Sequence, residues 1–339
     1  MKLVLRRGVV LDASPCDEGA EQRLVVEVAG EGEREAVCDT GLLGSCRTGD
    51  EVILNTQASA LALGSGGFDI VHANLTRGLD GAGEPGAHVM KLNYTPLQHA
   101  VRPVEEDGGD AGSARGPVAA CLLHGQLAPL AWAFAQEAPQ SSLGLVQGAG
   151  GALPGNHSRT VADLRGRGLL AGFITASPSY GGELEAMTVA GALAHGFGSL
   201  GWDAAVCAPG PGIIGSASRL GNGALAAADA LNVAVAIGCE AVLVPRLSDG
   251  DPRERHRGLS HHARTVAELT LGDVVAAWPA GRQPEDLGAL RLQEAHADLE
   301  GYAASGLPTT TMGRGIEDDR AFFAAPLAAG TVLAGLARG

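Results

Sequence analysis

Apolar and polar residues alternate along the first hundred positions of the chain and then stop alternating. The stretches KLVLRRGVVLD, QRLVVEVAG, REAVCD, DEVILNT and FDIVHANL are short, rich in β-branched residues and separated by Gly, Asp or Thr turns. That is the spacing of a small barrel or sandwich, so an all-β, barrel-like domain is expected over residues 1–103. Residues 104–116, VEEDGGDAGSARG, hold nothing apolar after the first position and read as a linker.

From residue 117 the apolar runs become continuous. PVAACLLHG, SLGLVQG, LLAGFITAS, WDAAVCAPG and EAVLVPRLS each read as a strand buried on both faces, the mark of a parallel sheet covered by helices. LAPLAWAFAQEAP, SRTVADLRGRG, GELEAMTVAGALAHGFGSLG and GNGALAAADALNVAVAIG read as helices between them. A helix from Ser260, a strand DVVAAWP, a helix around 284–298 and a terminal helix from about 317 complete the series. The prediction over 117–339 is a doubly wound, mostly parallel, Rossmann-like α/β sheet of five or six strands with a ligand crevice.

Composition supports an α/β core and narrows the partners. Apolar residues make up 45% of the chain but aromatics only 4%, and glycines number 51, so Ala, Val and Leu must pack at close backbone approach. Thirty-eight acidic against 24 basic residues give a net charge of -14, which opposes nucleic acid and anionic membrane surfaces. The N-terminal MKLVLRRGVVLD is too short and interrupted for a signal sequence, and no run reads as a membrane span, so the expected location is cytoplasmic. Six scattered cysteines without a CxxC pair read as reduced thiols, with Cys121, Cys207 and Cys239 in apolar runs.

In a doubly wound sheet the ligand lies beyond the carboxyl ends of the strands, so the residues after each strand carry the candidate chemistry. His124 follows the first strand of the sheet, and Glu183 opens a predicted helix after the third. Gly210, Gly212 and Gly215 nominally fit GxGxxG, but SASRLGNG intervenes before the helix and the next strand ends in Arg246 rather than an acid. This argues against NAD and leaves two readings. Either the loop cradles an anion on its backbone amides, with Ser216 and Arg219 assisting, or its glycines only permit close packing.

DPRERHRGLSHH, residues 251–262, follows the fifth strand. In an extended backbone Arg253, Arg255 and Arg257 share one side, a clamp for an anion or an acidic partner, and Arg314 in TMGRG falls on the same edge. Ser260 is a natural N-cap, which places His261 and His262 in a first helical turn, where neutral imidazole is favoured. His124, Glu183, His261 and His262 are thus the catalytic candidates. A divalent metal on His261 or His262 with Asp249, Asp251 and His124 stays open, without a spacing motif to define it.

These motifs, with GGALP at 150–154, GGELEA at 181–186, GPGIIG at 210–215, RRGVV and YTPLQ, make the chain resemble a bacterial, mainly actinobacterial, family of about this length. That family is described only as a domain of unknown function, so the resemblance implies no activity. Two functions follow from the residues themselves. The first is a hydrolase or transferase acting on a small phosphorylated or carboxylated molecule. The second is a non-catalytic ligand-binding or homodimeric assembly protein in which the Arg/His loop pairs with the chain's own acids.

Overall fold

The computed structural model describes residues 2–16, 19–61, 67–106 and 115–339; positions 107–114 of the expected linker lie outside them. The chain divides into two compact units, Met1–Val101 and Arg102–Gly339.

The first unit is a closed five-stranded barrel. Strands β1 (Leu5–Ala13), β2 (Glu21–Val28), β3 (Gly32–Asp39), β4 (Glu51–Asn55) and β5 (Asp69–Asn74) close in the order β1-β2-β3-β5-β4. All neighbours are antiparallel except β3 and β5. The alternation read from the sequence is the alternation of the pleat: Leu24, Val26 and Val28 point inward from β2, and Val52 and Leu54 from β4. Among the buried charges of this unit, Asp50, 1% exposed, accepts from Asn74 at 2.9 Å and pairs with Arg77 at 2.6 Å. Hydrogen bonds from the Arg77 guanidinium outweigh the cost of burial and hold its carboxyl at about 2.

The second unit is a doubly wound α/β sheet of eight parallel strands. They are β6 (Val118–Cys121), β7 (Leu143–Gly148), β8 (Gly172–Ala176), β9 (Leu184–Ala186), β10 (Ala204–Pro209), β11 (Ala241–Val244), β12 (Val274–Pro279) and β13 (Arg291–Ala295). Their order is β9-β8-β7-β10-β6-β11-β12-β13. Helix α1 (Leu127–Glu137) packs along the terminal helix and beside α2 (Arg159–Gly166), whereas α3 (Val189–Gly198) packs beside α4 (Ala226–Ala236), and α4 beside α5 (His261–Leu269). A short α6 (Leu299–Ala304) leads to the terminal helix α7 (Arg320–Ala337). The central strands are buried along their whole length, as the continuous apolar runs require.

Glycine's abundance has a packing cause here. The indole of Trp202 lies against the backbones of Gly144 and Gly196, and a Cβ built on either would fall 2.0 and 2.2 Å from the ring. Large aromatics are few, and Trp202 is seated directly on main chain.

Two stretches expected to be helical need correction, and they share a cause. Leu184–Ala186 and Arg291–Ala295, both placed in helices, are the two edge strands. An edge strand is covered on one side only, so its polar residues mimic the charged face of a helix; every residue from Arg291 to Glu294 is exposed. The expected terminal helix is α7, which is long and apolar enough to span a membrane by composition, with a mean hydropathy of 1.5. It is instead a core helix, two-thirds buried, packed along α1 and over β11 and β12. Residues 104–106 belong to the second unit. Val104 is buried in its core, and the Glu105 carboxylate accepts from the backbone N–H groups of Met187 and Thr188.

Candidate functional site

Strand β6 connects to β7 across the place that β10 later fills, so the chain turns in opposite directions from the carboxyl ends of β6 and β10. His124 sits at this switch point. Its Nδ1 lies 3.0 Å from the carbonyl oxygen of Pro209 at the end of β10. A carbonyl can only accept, so Nδ1 carries the hydrogen, and Nε2 accepts from the Ser158 hydroxyl at 2.8 Å. Ser158 Oγ in turn caps α2 by accepting from Val161 N–H. Burial lowers the histidine's pKa, which keeps it neutral. Both ring nitrogens of His124 are thus engaged within the protein.

The glycine loop after β10 is engaged as well. The amides of Ile214 and Ser216 donate to the carbonyls of Gly150 and Gly221, and Pro211 accepts from Ala152 N–H. The loop therefore packs on the one that follows β7, and the contact is too close for side chains: a Cβ on Gly223 would lie 1.9 Å from Gly150 O, and one on Gly210 2.1 Å from Ala152 O. Ser216 is exposed, and Arg219, also exposed, pairs with Glu268 at 3.1 Å. Of the two readings, close packing accounts for Gly210 and its partner loop.

Glu183 is not in a helical turn. It precedes edge strand β9, is exposed, pairs with Arg165 at 2.6 Å and accepts from Phe173 N–H at 3.1 Å. The helix starts later, at Val189, where Thr188 supplies the cap.

The unusual chemistry is in the loop after β11. Leu247–Ser248 pairs antiparallel with Gly258–Leu259, which makes residues 247–259 a hairpin that delivers the chain directly to Ser260, the N-cap of α5. At the hairpin tip, Glu254–His256 is a single 3-10 turn rather than extended chain, so Arg253, Arg255 and Arg257 do not share a face. They have separate surroundings. Arg253 forms a two-point ion pair with Asp251 (2.9 and 2.8 Å), and Arg257 Nε donates to Asp251 O. Arg255 is exposed and has no carboxylate partner among the described residues.

Two fully buried carboxylates anchor the hairpin. Asp251 also takes Arg246 at 3.1 Å and Arg314 at 3.5 Å. Burial pushes its carboxyl up, but hydrogen bonds from Arg253 and the charges of Arg253 and Arg246 outweigh this and hold it well below the usual carboxylate range. Arg246 is itself buried, which lowers its pKa to about 10 and leaves it charged at neutral pH. Asp319, just before α7, accepts from Ser248 Oγ at 2.6 Å, from Asp249 N–H at 2.8 Å and from Arg314 at 3.0 Å.

Above this anchor His256, His261 and His262 stack together, with ring centroids 4.3 to 4.9 Å apart. One ring nitrogen from each lies within 4.8 Å of the others. His256 Nδ1 is 2.8 Å from Ser260 Oγ. By contrast, His261 Nε2 and both nitrogens of His262 are buried with no hydrogen-bond partner among the described residues. Burial, then the surrounding arginines, push His256 down to about 3 and lower His261; burial, then His261 and the arginines, push His262 down to about 3, so all three are neutral at pH 7. Among the described residues, this trio is the group of side chains close enough together to hold a metal. It replaces the set expected from the sequence: Asp249 pairs with Arg282, Asp251 is taken by arginines, and His124 is held by Pro209 and Ser158.

His256, Arg246 and Asp319 are therefore members of the site that the strand-edge reading passed over. An arginine directly after the apolar AVLVP run was the available signal for Arg246. His256 needed the 3-10 turn, and Asp319 needed the tertiary fold.

Fold and site together define a two-unit chain in which a five-stranded barrel precedes a doubly wound α/β unit bearing an anchored arginine–histidine hairpin beyond its strands. The chain belongs to the DUF3866 family, described as a protein of unknown function, whose model matches residues 35–330. No curated protein and no solved structure matches it.

Proposed function

We propose that the second unit is an enzyme, a hydrolase or transferase, that acts on a small phosphorylated or carboxylated molecule at the arginine–histidine hairpin. The observation that carries this is the placement of unpartnered, buried imidazole nitrogens beside an unpaired guanidinium. A buried polar nitrogen without a partner costs about 1–3 kcal/mol, a cost that an incoming ligand can relieve. Arg255 supplies the positive charge for an anion, and half-buried His261 is placed to exchange a proton with what binds.

The test is thermal stabilisation of the full chain by phosphate, sulfate, citrate and small phosphomonoesters. Arg255→Ala removes no ion pair among the described residues and should leave stability within about 0.5 kcal/mol. A ligand at a hundred times its Kd should stabilise the wild type by about 2.7 kcal/mol and the variant by far less. Equal stabilisation of both would refute the assignment. A second reading, a non-catalytic binding or homodimeric assembly protein, draws support from Asp251, which already occupies Arg246, Arg253 and Arg314. It expects no turnover of any phosphomonoester, and its assembly form expects stabilisation by no anion.

A further inference from the structure

We propose that His256, His261 and His262 are the protein ligands of a divalent transition-metal ion of the zinc type, and that an oxygen of an anion completes the coordination with Arg255 as its countercharge. Three observations converge. The three rings bring one nitrogen each to within 4.8 Å of one another, close enough for all three to turn onto a single ion. His262 is 7% exposed, yet both its nitrogens lack a hydrogen bond, and one nitrogen of His261 shares that condition. Ser260 Oγ stands 2.8 Å from His256 Nδ1, the outer contact that orients a coordinating imidazole and leaves Nε2 as the nitrogen for the ion.

The donor set selects the ion. Three imidazoles with no carboxylate suit zinc and its neighbours rather than calcium or magnesium, which take oxygen. The carboxylates that anchor the hairpin are already committed: Asp251 to arginines, Asp319 to Ser248, Arg314 and backbone amides, Asp249 to Arg282. Glu254, exposed on the same turn, does not cluster with the three rings. An ion held by neutral ligands keeps its full charge, and the neighbouring guanidiniums of Arg246, Arg253 and Arg255 add to it. A negatively charged fourth ligand is therefore favoured over neutral water, so metal and anion should bind with positive coupling. This inference rests on the anion reading above, and the experiment separates the two.

Full-length protein without a histidine tag, freed of metal by a chelator, is titrated with Co2+ with and without inorganic phosphate, and Zn2+ is then used as competitor. The expected result is one Co2+ per chain with the visible spectrum of a tetrahedral site, displaced by Zn2+ and weakened at least tenfold by His262→Asn. Since His262 is buried and that variant can fail to fold, His261→Gln, at a half-buried position, must give the same loss. Phosphate should tighten Co2+ at least threefold, and Arg255→Ala should abolish the tightening while leaving metal binding in place. Substoichiometric binding, or binding unchanged by both histidine variants, overturns the metal centre. Phosphate binding by metal-free protein in that case leaves the anion reading standing. Metal binding indifferent to phosphate overturns the anionic fourth ligand together with the reading on which it rests.

Discussion

Asp251→Asn keeps the shape of the side chain and removes its charge, which isolates what that charge does for the hairpin. The carboxylate is fully buried and faces three guanidiniums whose alternatives differ. Arg253 is 45% exposed and can turn to water, and Arg314 retains Asp319. Arg246 has neither option: its side chain is 3% exposed, and its Nε is already without a partner. Leaving one buried charge unpaired costs about 3–5 kcal/mol. In a unit of this size about 1 kcal/mol moves Tm by 2–4 °C, so the expected loss is roughly 10 °C in the unfolding of the second unit. Differential scanning calorimetry reads it, with Asp273→Asn as the internal comparison. That variant breaks the Arg291–Asp273 pair, whose side chains are 64% and 75% exposed, and should cost less than about 1 kcal/mol. Adding Arg246→Met to Asp251→Asn should recover part of the loss by removing the stranded charge. A cost for Asp251→Asn no larger than that for Asp273→Asn, or no recovery in the double variant, would refute the reasoning.

Two further outcomes follow from other parts of the chain. Asp50 is held at about 2 in the folded barrel against an ordinary 3.8, which corresponds to about 2 kcal/mol of stability. That stability is complete above about pH 4 and disappears as the pH falls towards 2. The Tm difference between wild type and Asp50→Asn should therefore close over that interval, and a difference independent of pH would contradict the pairing with Arg77. Gly223→Ala would push a Cβ into Gly150 O and force the two strand-edge loops apart, at an expected cost of at least about 1–3 kcal/mol by calorimetry. A neutral Gly223→Ala would show that the loops do not bear on each other.

The parts of the fold that the sequence made legible are those where burial alone decides the pattern. Barrel strands alternate because one face is wet, and the central strands of the sheet do not because neither face is. Edge strands escaped because their polar faces resemble helices, as Leu184–Ala186 and Arg291–Ala295 show. At the site, Ser260 and the helix it caps were readable from local capping chemistry, and with them His261 and His262. The shared face expected for the three arginines failed because a 3-10 turn, set by the buried anchors at Asp251 and Asp319, bends the chain where local spacing suggested extension. His256 enters the cluster only through that turn.

Asp319 sits at the start of α7, and it also holds the backbone amides of Asp249 and Gly250 and the hydroxyl of Ser248. A surface hairpin is thereby fastened to the helix that packs along α1 and over the central strands. Loops ordinarily open locally at little free-energy cost, independent of the core. This one cannot lift without freeing Asp319, the residue that leads into α7, so its amide hydrogens, Asp249 and Asp251 among them, should exchange with solvent on the timescale of the whole unit's unfolding and not on that of an exposed turn.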